Sequence, residues 1–214
     1  MSFHDNPRIV TDSLVLMLDA ANPKSYPGSG TLWNDISGNG RHATLSAESI
    51  GTAAPGHMTI AASQYISIPW GNGINPSSQE YTLICFLKAS QTVSGAMWLD
   101  HGSNGTSQRF YSSLNGLGAQ ASGWADSTPN DINWHMNHII CNGLGNVSLY
   151  QDAEWLQASK AVTSYTVPSN FELGGRLTAY TFPGNIDYFV VYDRVLTSPE
   201  LQQNFDALKG RFGL

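Results

Sequence analysis

The sequence has few charged residues and no clustered positive charge. Charged side chains make up 12% of the 214 residues, with 10 Lys plus Arg against 16 Asp plus Glu and a formal net charge of −6. The basic residues are scattered, so the chain lacks the phosphate-neutralising surface that nucleic-acid binding requires. No apolar run approaches the roughly 20 residues that cross a bilayer. We therefore expect neither a nucleic-acid partner nor a membrane partner.

The N-terminus and the two cysteines bear on the compartment. The opening MSFHDNPRIVTDSL lacks the basic start and apolar stretch of a signal peptide, so we expect the protein to stay in the cytosol where it is made. Cys85 and Cys141 lie inside the apolar runs YTLICFLKA and HIICNG. These surroundings predict two small buried hydrophobic residues, and a single disulfide between them is the alternative.

Short runs rich in β-branched and aromatic residues recur along the chain, each bounded by Gly, Asn, Ser or Pro. This spacing predicts antiparallel strands that pack as two sheets of one domain. LICFL at 83–87 is apolar on both faces and is predicted to be central, whereas Ile66 and Ile68 share one face of a half-buried strand. The runs are LVLML, QYISIP, EYTLICFLKA, AMWLD, RFYSS, MNHIIC, NVSLYQD and NIDYFVVYD.

One segment near the C-terminus predicts a helix, SPELQQNFDALKG at 198–210. We expect Ser198 to cap it and Gly210 to close it. Apolar residues recur at i, i+4 and i+7 and predict a stripe that packs on the sandwich. The stripe consists of Leu201, Phe205 and Leu208.

The stretch WNDISGNGRHATL, residues 33–45, sets side-chain oxygens at alternate positions before a glycine. Asp35, Ser37 and Asn39 give the spacing of the first half of a calcium-binding turn, because Ca²⁺ takes roughly six to eight oxygen ligands. The EF-hand pattern would need a bidentate Glu about seven residues after Asn39, and Ser46 stands there. A metal at this loop must therefore take carboxylates from elsewhere in the fold.

LVLMLDAANPKSYPGSGTLWNDISGNGRHATL at 14–45 resembles the opening of the laminin-G-like, concanavalin A-like lectin/glucanase sandwich domains found in bacteriophage virion proteins. Their second signature strand is resembled by ASQYISIP, and their central strand by YTLICFLKAS. Their Trp-anchored hairpin is resembled by NWHMNHIICNGLGNVSLYQDAEW. Their closing strand and helix are resembled by FPGNIDYFVVYDRVLTSPELQQNFDALKGRF. The resemblance implies an all-β fold, a two-sheet antiparallel jelly-roll sandwich with one short C-terminal helix. We expect residues 1–10 to be an N-terminal arm and residues 11–214 to be the sandwich domain.

The resemblance also implies a partner carboxylate for the opening loop. Asp187, in the closing strand, completes the predicted Ca²⁺ ligands with Asp35 and Asn39. Family members often carry acidic residues before the second signature strand, whereas a serine and a glutamine precede YISIP here. The alternative is that Asp35 and Asn39 bond the backbone amides of their own turn, and that Asp187 pairs with Arg194 or Arg176.

The residues that glycoside hydrolysis needs are not visible in the sequence. Glucanases of this superfamily use two carboxylates on one strand face, and no Glu-x-Asp-x-x-Glu run is present. Asp152 and Glu154 are expected at a solvated hairpin turn, and Glu172 stands alone in NFELGG. His135 and His138 fall on opposite faces of the predicted strand, which argues against a zinc site. We predict no catalytic residues and no enzyme activity.

Aromatic residues are abundant, with six Trp and nine Tyr. Trp124 lies in the long polar loop GAQASGWADSTPNDIN, and long loops on a rigid scaffold often bind ligands. The alternative is that Trp124 covers the open end of the sandwich or is buried against a neighbouring subunit. Trp33 and Trp134 lie in the family signatures and are expected to pack. The predicted glycan-binding residues are Trp124, Asp126, Asn130 and Tyr111.

Two functions follow from these expectations. The first is a non-enzymatic bacteriophage virion structural protein, a capsid decoration or fibre/appendage component that binds other virion proteins, forms a homo-oligomer and resides on the virion after assembly in the host cytoplasm. Residues 1–10 would then dock onto a shell or a neighbouring subunit. The alternative is a carbohydrate-binding module that recognises a host-surface or extracellular glycan. A hydrolytic enzyme is disfavoured because no carboxylate pair is apparent.

Overall fold

The protein forms two antiparallel β-sheets that face each other across one core, as the sequence predicts. The structure is a computed structural model. It describes residues 8–69, 79–90, 96–101, 108–113, 116–119, 131–144, 146–161, 170–175 and 182–214.

The strands are β1 (Leu14–Asp19), β2 (Leu32–Trp33), β3 (Ala43–Leu45), β4 (Thr59–Ile60), β5 (Ile66–Pro69), β6 (Glu80–Ala89), β7 (Ala96–His101), β8 (Gln108–Ser113), β9 (Gly116–Ala119), β10 (Trp134–Asn142), β11 (Asn146–Gln151), β12 (Glu154–Ala161), β13 (Asn170–Leu173) and β14 (Gly184–Tyr192). The helices described are α1 (Ser49–Thr52) and α2 (Ser198–Phe212). Sheet A runs in the order β1-β14-β6-β10-β11-β12, with β4 against β14. Sheet B runs in the order β2-β3-β5-β13-β7-β8-β9.

Hydrophobic periodicity explains the place of each strand. β6 lies between β14 and β10 and is buried from Tyr81 to Leu87, which confirms that the run without alternation is central. In β5, Ile66 and Ile68 are fully buried while Ser67 is half-buried, which confirms the predicted alternation.

The core between the sheets is built from residues of both layers. Trp33 is fully buried in it, so its predicted packing role is confirmed. Cys85 and Cys141 are buried free thiols, and the alternative of a disulfide is wrong. Larger members of this core include Leu16, Leu18, Trp33, Leu45, Ile66, Leu83, Phe182, Phe189 and Val191.

Helix α2 covers the outer face of sheet A, with Leu201 buried and Phe205 and Leu208 packed against the same cluster. Its predicted ends are wrong by a few residues. Thr197 is the N-cap because its backbone is extended and its amide and hydroxyl both donate to the Glu200 carboxylate. The helix closes at a left-handed glycine, φ 74°, at position 213. Neither helix of the described ranges has the length and hydrophobicity to span a membrane.

The last residues of the predicted arm are fixed to the domain. The Val10 amide donates to Asn204 Oδ1 at 2.8 Å, and Tyr192 Oη donates to the Val10 carbonyl at 2.9 Å. Gln203 Nε2 donates to the Arg8 carbonyl at 2.7 Å. Residues 8–10 therefore pack with α2 of the same chain, while residues 1–7 lie outside the described ranges.

Candidate functional site

The opening loop is organised by the Asp35 carboxylate. Its Oδ1 accepts hydrogen bonds from the Met17 amide at 3.0 Å and the Ser37 amide at 2.8 Å, and its Oδ2 accepts one from the Arg41 amide at 3.0 Å. Burial alone would raise the pKa of Asp35, but these backbone donors outweigh burial and hold the pKa below its usual range. The carboxylate is thus satisfied by the protein's own backbone.

Asn39, the second predicted metal ligand, is exposed at the tip of the same loop. Its Nδ2 donates to Ser37 Oγ at 3.0 Å and to the Leu14 carbonyl at 3.3 Å. These contacts hold the loop against the start of β1.

Asp187, the third predicted ligand, is buried in β14. Its Oδ1 accepts from the Met58 amide at 3.1 Å, and its Oδ2 bonds to His57 Nδ1. Burial raises the pKa of Asp187, and the neighbouring imidazole acts against that shift. The partner of Asp187 is therefore a histidine, whereas Arg194 pairs with Glu200 at 2.6 Å. Arg176, the other predicted partner, lies outside the described residues.

Asp35 and Asn39 share Ser37 as a partner, whereas Asp187 bonds to a different segment. Asp35 and Asn39 bond within the opening loop and β1, and Asp187 bonds to the segment before β4. Within the described ranges, no group of three or more His, Cys, Asp or Glu side chains could hold a metal ion. Calcium binding stays a prediction from the sequence.

The predicted glycan-binding residues fall largely outside the described part of the chain. Trp124, Asp126 and Asn130 lie in the undescribed range 120–130. Tyr111 lies in β8, where its Cα pairs with that of Met97 in β7. Its side chain is not among those that the structure describes.

A cluster of polar side chains lies where that range reaches β10. It joins the residues before β10, the first half of β10 and the turn between β11 and β12, and we call it the polar cluster. Its members are Asp131, Asn133, His135, Asn137, Gln151 and Asp152.

His135 bridges two carboxylates at the centre of the polar cluster. Its Nδ1 lies 2.7 Å from Asp152 Oδ2, and its Nε2 lies 3.0 Å from Asp131 Oδ1. A neutral imidazole has one N–H, so only the imidazolium donates to both carboxylates. The Asp152 hydrogen bond raises the pKa of His135, with burial acting against it and Asp131 adding to the rise.

Both carboxylates are also held by backbone amides. Asp152 Oδ1 accepts from the Met136 amide at 2.8 Å, and Asp131 Oδ1 accepts from the Asn133 amide at 2.8 Å. Burial alone would raise the pKa of Asp131, but the Asn133 and His135 hydrogen bonds outweigh burial and lower it. The oxygens of this cluster are therefore fixed in position before any ligand arrives.

The turn between β11 and β12 adds to this rigidity. Asp152 and Ala153 have φ values of 52° and 66°, the left-handed conformation that a two-residue hairpin turn of type I′ requires. Such positions cost non-glycine residues about 1 kcal/mol or more, and the bonds of Asp152 to β10 offset that cost. Nearby, the buried Asn137 accepts from Gln151 Nε2 at 3.2 Å.

The predicted carboxylate arrangement needs one correction. Asp152 sits at the hairpin turn as expected and faces His135, whereas Glu154 is exposed beyond it. Glu172, however, does not stand alone, because its Cα pairs with that of Asp100 across β13 and β7. Spacing along a single strand does not show a pairing that arises between two strands.

The two histidines of β10 face opposite ways, as predicted. His135 is partly exposed in the polar cluster, whereas His138 is fully buried beside Tyr150. Neither ring nitrogen of His138 has a partner within the described ranges, and burial lowers its pKa to about 3. Trp134 packs partly buried between His57 and Phe212, which confirms its packing role.

A comparison with protein-family models gave no match, and neither did one with curated protein sequences. Solved structures do match. The fold is a lectin-like β-sandwich. Trypanosoma rangeli sialidase, as its covalent intermediate with 2,3-difluorosialic acid, has a TM-score of 0.71 at 17% identity, covering 94% of this chain and 34% of the sialidase.

The same sandwich matches botulinum neurotoxin structures. One, concerned with the interaction of neurotoxin type C with two ganglioside molecules, has a TM-score of 0.66 at 13% identity. Another, the binding domain of neurotoxin DC in complex with rat synaptotagmin II, has a TM-score of 0.65 at 13% identity. Each match covers 93% of this chain and 52% of the neurotoxin chain. This chain thus spans about a third to a half of these relatives, and the likeness shows the fold.

Proposed function

We propose that this chain is a non-enzymatic binding module that holds a host-surface or extracellular glycan at the polar cluster. The observation that carries the proposal is the pre-positioned set of carboxylate and carboxamide groups around His135. Sugar hydroxyls both donate and accept hydrogen bonds, and fixed polar groups bind them without paying an ordering cost. Support comes from two similar folds: a sialidase in complex with a sialic-acid derivative, and a neurotoxin whose cell entry depends on interaction with two ganglioside molecules.

Asp131 is the most informative residue to change. Its side chain is 38% exposed and reachable by a ligand, and its carboxylate can accept from a sugar hydroxyl. A hydrogen bond to a charged group contributes about 1.5–3 kcal/mol, which corresponds to roughly a 10- to 100-fold change in affinity. We expect Asp131→Asn to weaken glycan binding by that factor.

The measurement is a glycan array followed by calorimetric titration of the best ligand. Asp206→Asn is the matched control, because Asp206 on α2 is 34% exposed and also pairs with a basic side chain, Lys209. The control should bind as the wild type does. Loss on Trp124→Ala would extend the site to the predicted loop. The absence of binding to any glycan, or equal binding by all variants, would refute the proposal.

The non-enzymatic part of the proposal has its own test. Sugar release from laminarin-type glucans that disappears in Asp152→Ala, or in the Asp100→Asn and Glu172→Gln double variant, would overturn it. We expect no sugar release above a buffer control.

A virion structural role, as a capsid decoration or fibre/appendage component, is the second candidate. It rests on the sequence resemblance of five segments, in the same order along the chain, to sandwich domains of phage virion proteins; they are residues 14–45, 62–69, 81–90, 133–155 and 182–212. Homo-oligomerisation and contacts with other virion proteins belong to this proposal. Purified particles should contain the protein in fixed stoichiometry. If purified particles lack the protein, the virion role is refuted and the glycan-binding proposal is unaffected.

A further inference from the structure

The charge of the polar cluster constrains the kind of glycan it can hold. The cluster contains two aspartates, Asp131 and Asp152, with a formal charge of −1 each, and His135 supplies one positive charge when protonated. The cluster therefore has a net charge of about −1 with the imidazolium and about −2 without it.

The positive charge of His135 is not available to a ligand. Both ring nitrogens already face carboxylate oxygens, at 2.7 and 3.0 Å. An anionic sugar could reach this cation only by displacing one of the two aspartates.

Other cations of the surrounding strands lie elsewhere. Lys88 pairs in register with Trp134 and alternates with the inward-facing Leu87, which places it on the helix side of sheet A. Lys160 pairs with Val147, and at roughly 3.3 Å per residue it lies well over 10 Å along β12 from the turn at Asp152. Of these two lysines, the described side chain of Lys88 lies on the opposite face from the cluster, and the strand position of Lys160 is distant from it.

We propose that the polar cluster selects a neutral, hydroxyl-rich sugar and discriminates against sugars that carry a carboxylate, such as sialic acid. This inference rests on the glycan-binding function proposed above and specifies its ligand. Hydroxyls donate to the aspartates and accept from the carboxamides, whereas a sugar carboxylate meets the like charge of the two aspartates. The charge arrangement thus favours a different ligand from the sialic acid and its derivative in the sialidase complexes that share the fold.

The test uses matched glycans that differ by one sialic acid, such as lactose and sialyllactose, together with the neutral and sialylated pairs of a glycan array. We expect the neutral member to bind at least tenfold more tightly at pH 7 in low salt. The ratio should shrink in 0.5 M NaCl, because salt screens exposed charges. Asp131→Asn should weaken the neutral ligand and also reduce the ratio, whereas Asp206→Asn should change neither.

The two proposals fail in different ways. Sialylated glycans that bind as tightly as their neutral partners, with affinity still lost in Asp131→Asn, would overturn the selectivity while the site stands. Neutral glycans that bind equally well to wild type and Asp131→Asn would overturn the site itself, and the selectivity with it.

Discussion

The burial of His138 predicts a loss of stability in acid. Its side chain is fully buried, its pKa is lowered to about 3, and neither ring nitrogen has a partner in the described part of the chain. In the unfolded chain the pKa returns to about 6.5, so the unfolded state binds a proton that the folded state does not. The stabilisation is complete above pH 6.5 and is lost as the pH falls toward about 3.

The size of the effect follows from the separation of the two pKa values. At pH 5, which is about 1.5 pH units below the unfolded-state pKa, the imidazole is protonated in the unfolded chain and neutral in the folded one. Each of these pH units lowers the free energy of unfolding by about 1.4 kcal/mol. The free energy of unfolding should therefore fall by about 2 kcal/mol between pH 7 and pH 5 from this residue alone. His135 opposes this trend, because its raised pKa gives a contribution that is complete below pH 6.5 and is lost as the pH rises.

The assay is urea unfolding of the wild type and of His138→Leu at pH 7, 6 and 5. Leucine keeps the apolar contacts with the neighbours of the ring and cannot titrate. Because His135 is present in both proteins, its contribution cancels in the difference. We expect the stability of the variant relative to the wild type to increase by about 2 kcal/mol from pH 7 to pH 5, and His138→Met should behave alike. Parallel pH profiles for wild type and variants would refute the reasoning.

Two further predictions concern packing and the opening loop. Leu201→Ala should destabilise the protein by about 2–5 kcal/mol in urea unfolding, because it leaves a cavity under α2. Gln202→Ala, at an exposed position of the same helix, should cost under about 0.5 kcal/mol. Equal effects of the two substitutions would contradict the packing of α2. Asp35→Ala should lower the free energy of unfolding by about 1–3 kcal/mol, because it leaves backbone donors without an acceptor. This loss of stability should be the same in EDTA. A loss of stability seen only with added Ca²⁺ would favour the predicted metal site instead.

The strand core was predictable because it depends on local pattern. β6 is apolar on both faces and β5 alternates, so their central and half-buried places follow from period alone. The stripe at Leu201 likewise follows from the helical repeat. The ends of α2 were less predictable, since Thr197 and Ser198 both have side chains that can cap, and the backbone conformation selects Thr197.

The candidate site was not predictable in the same way. Asp131, His135 and Asp152 are spread over 22 residues, and the antiparallel pairing of β11 with β10 brings the last of them back beside Met136. Their sequence spacing matches no motif, so the signal available beforehand was the density of polar residues next to the loop at Asp131.

The sequence by itself determined the two-layer sandwich and its buried faces, because alternation and burial are properties of neighbouring residues along the chain. The tertiary structure alone decided which polar groups meet. Strand register set Glu172 opposite Asp100, gave Asp187 a histidine partner and enclosed His135 between two aspartates. Electrostatic contacts depend on distances across strands, and those distances exist only once the sheets have paired.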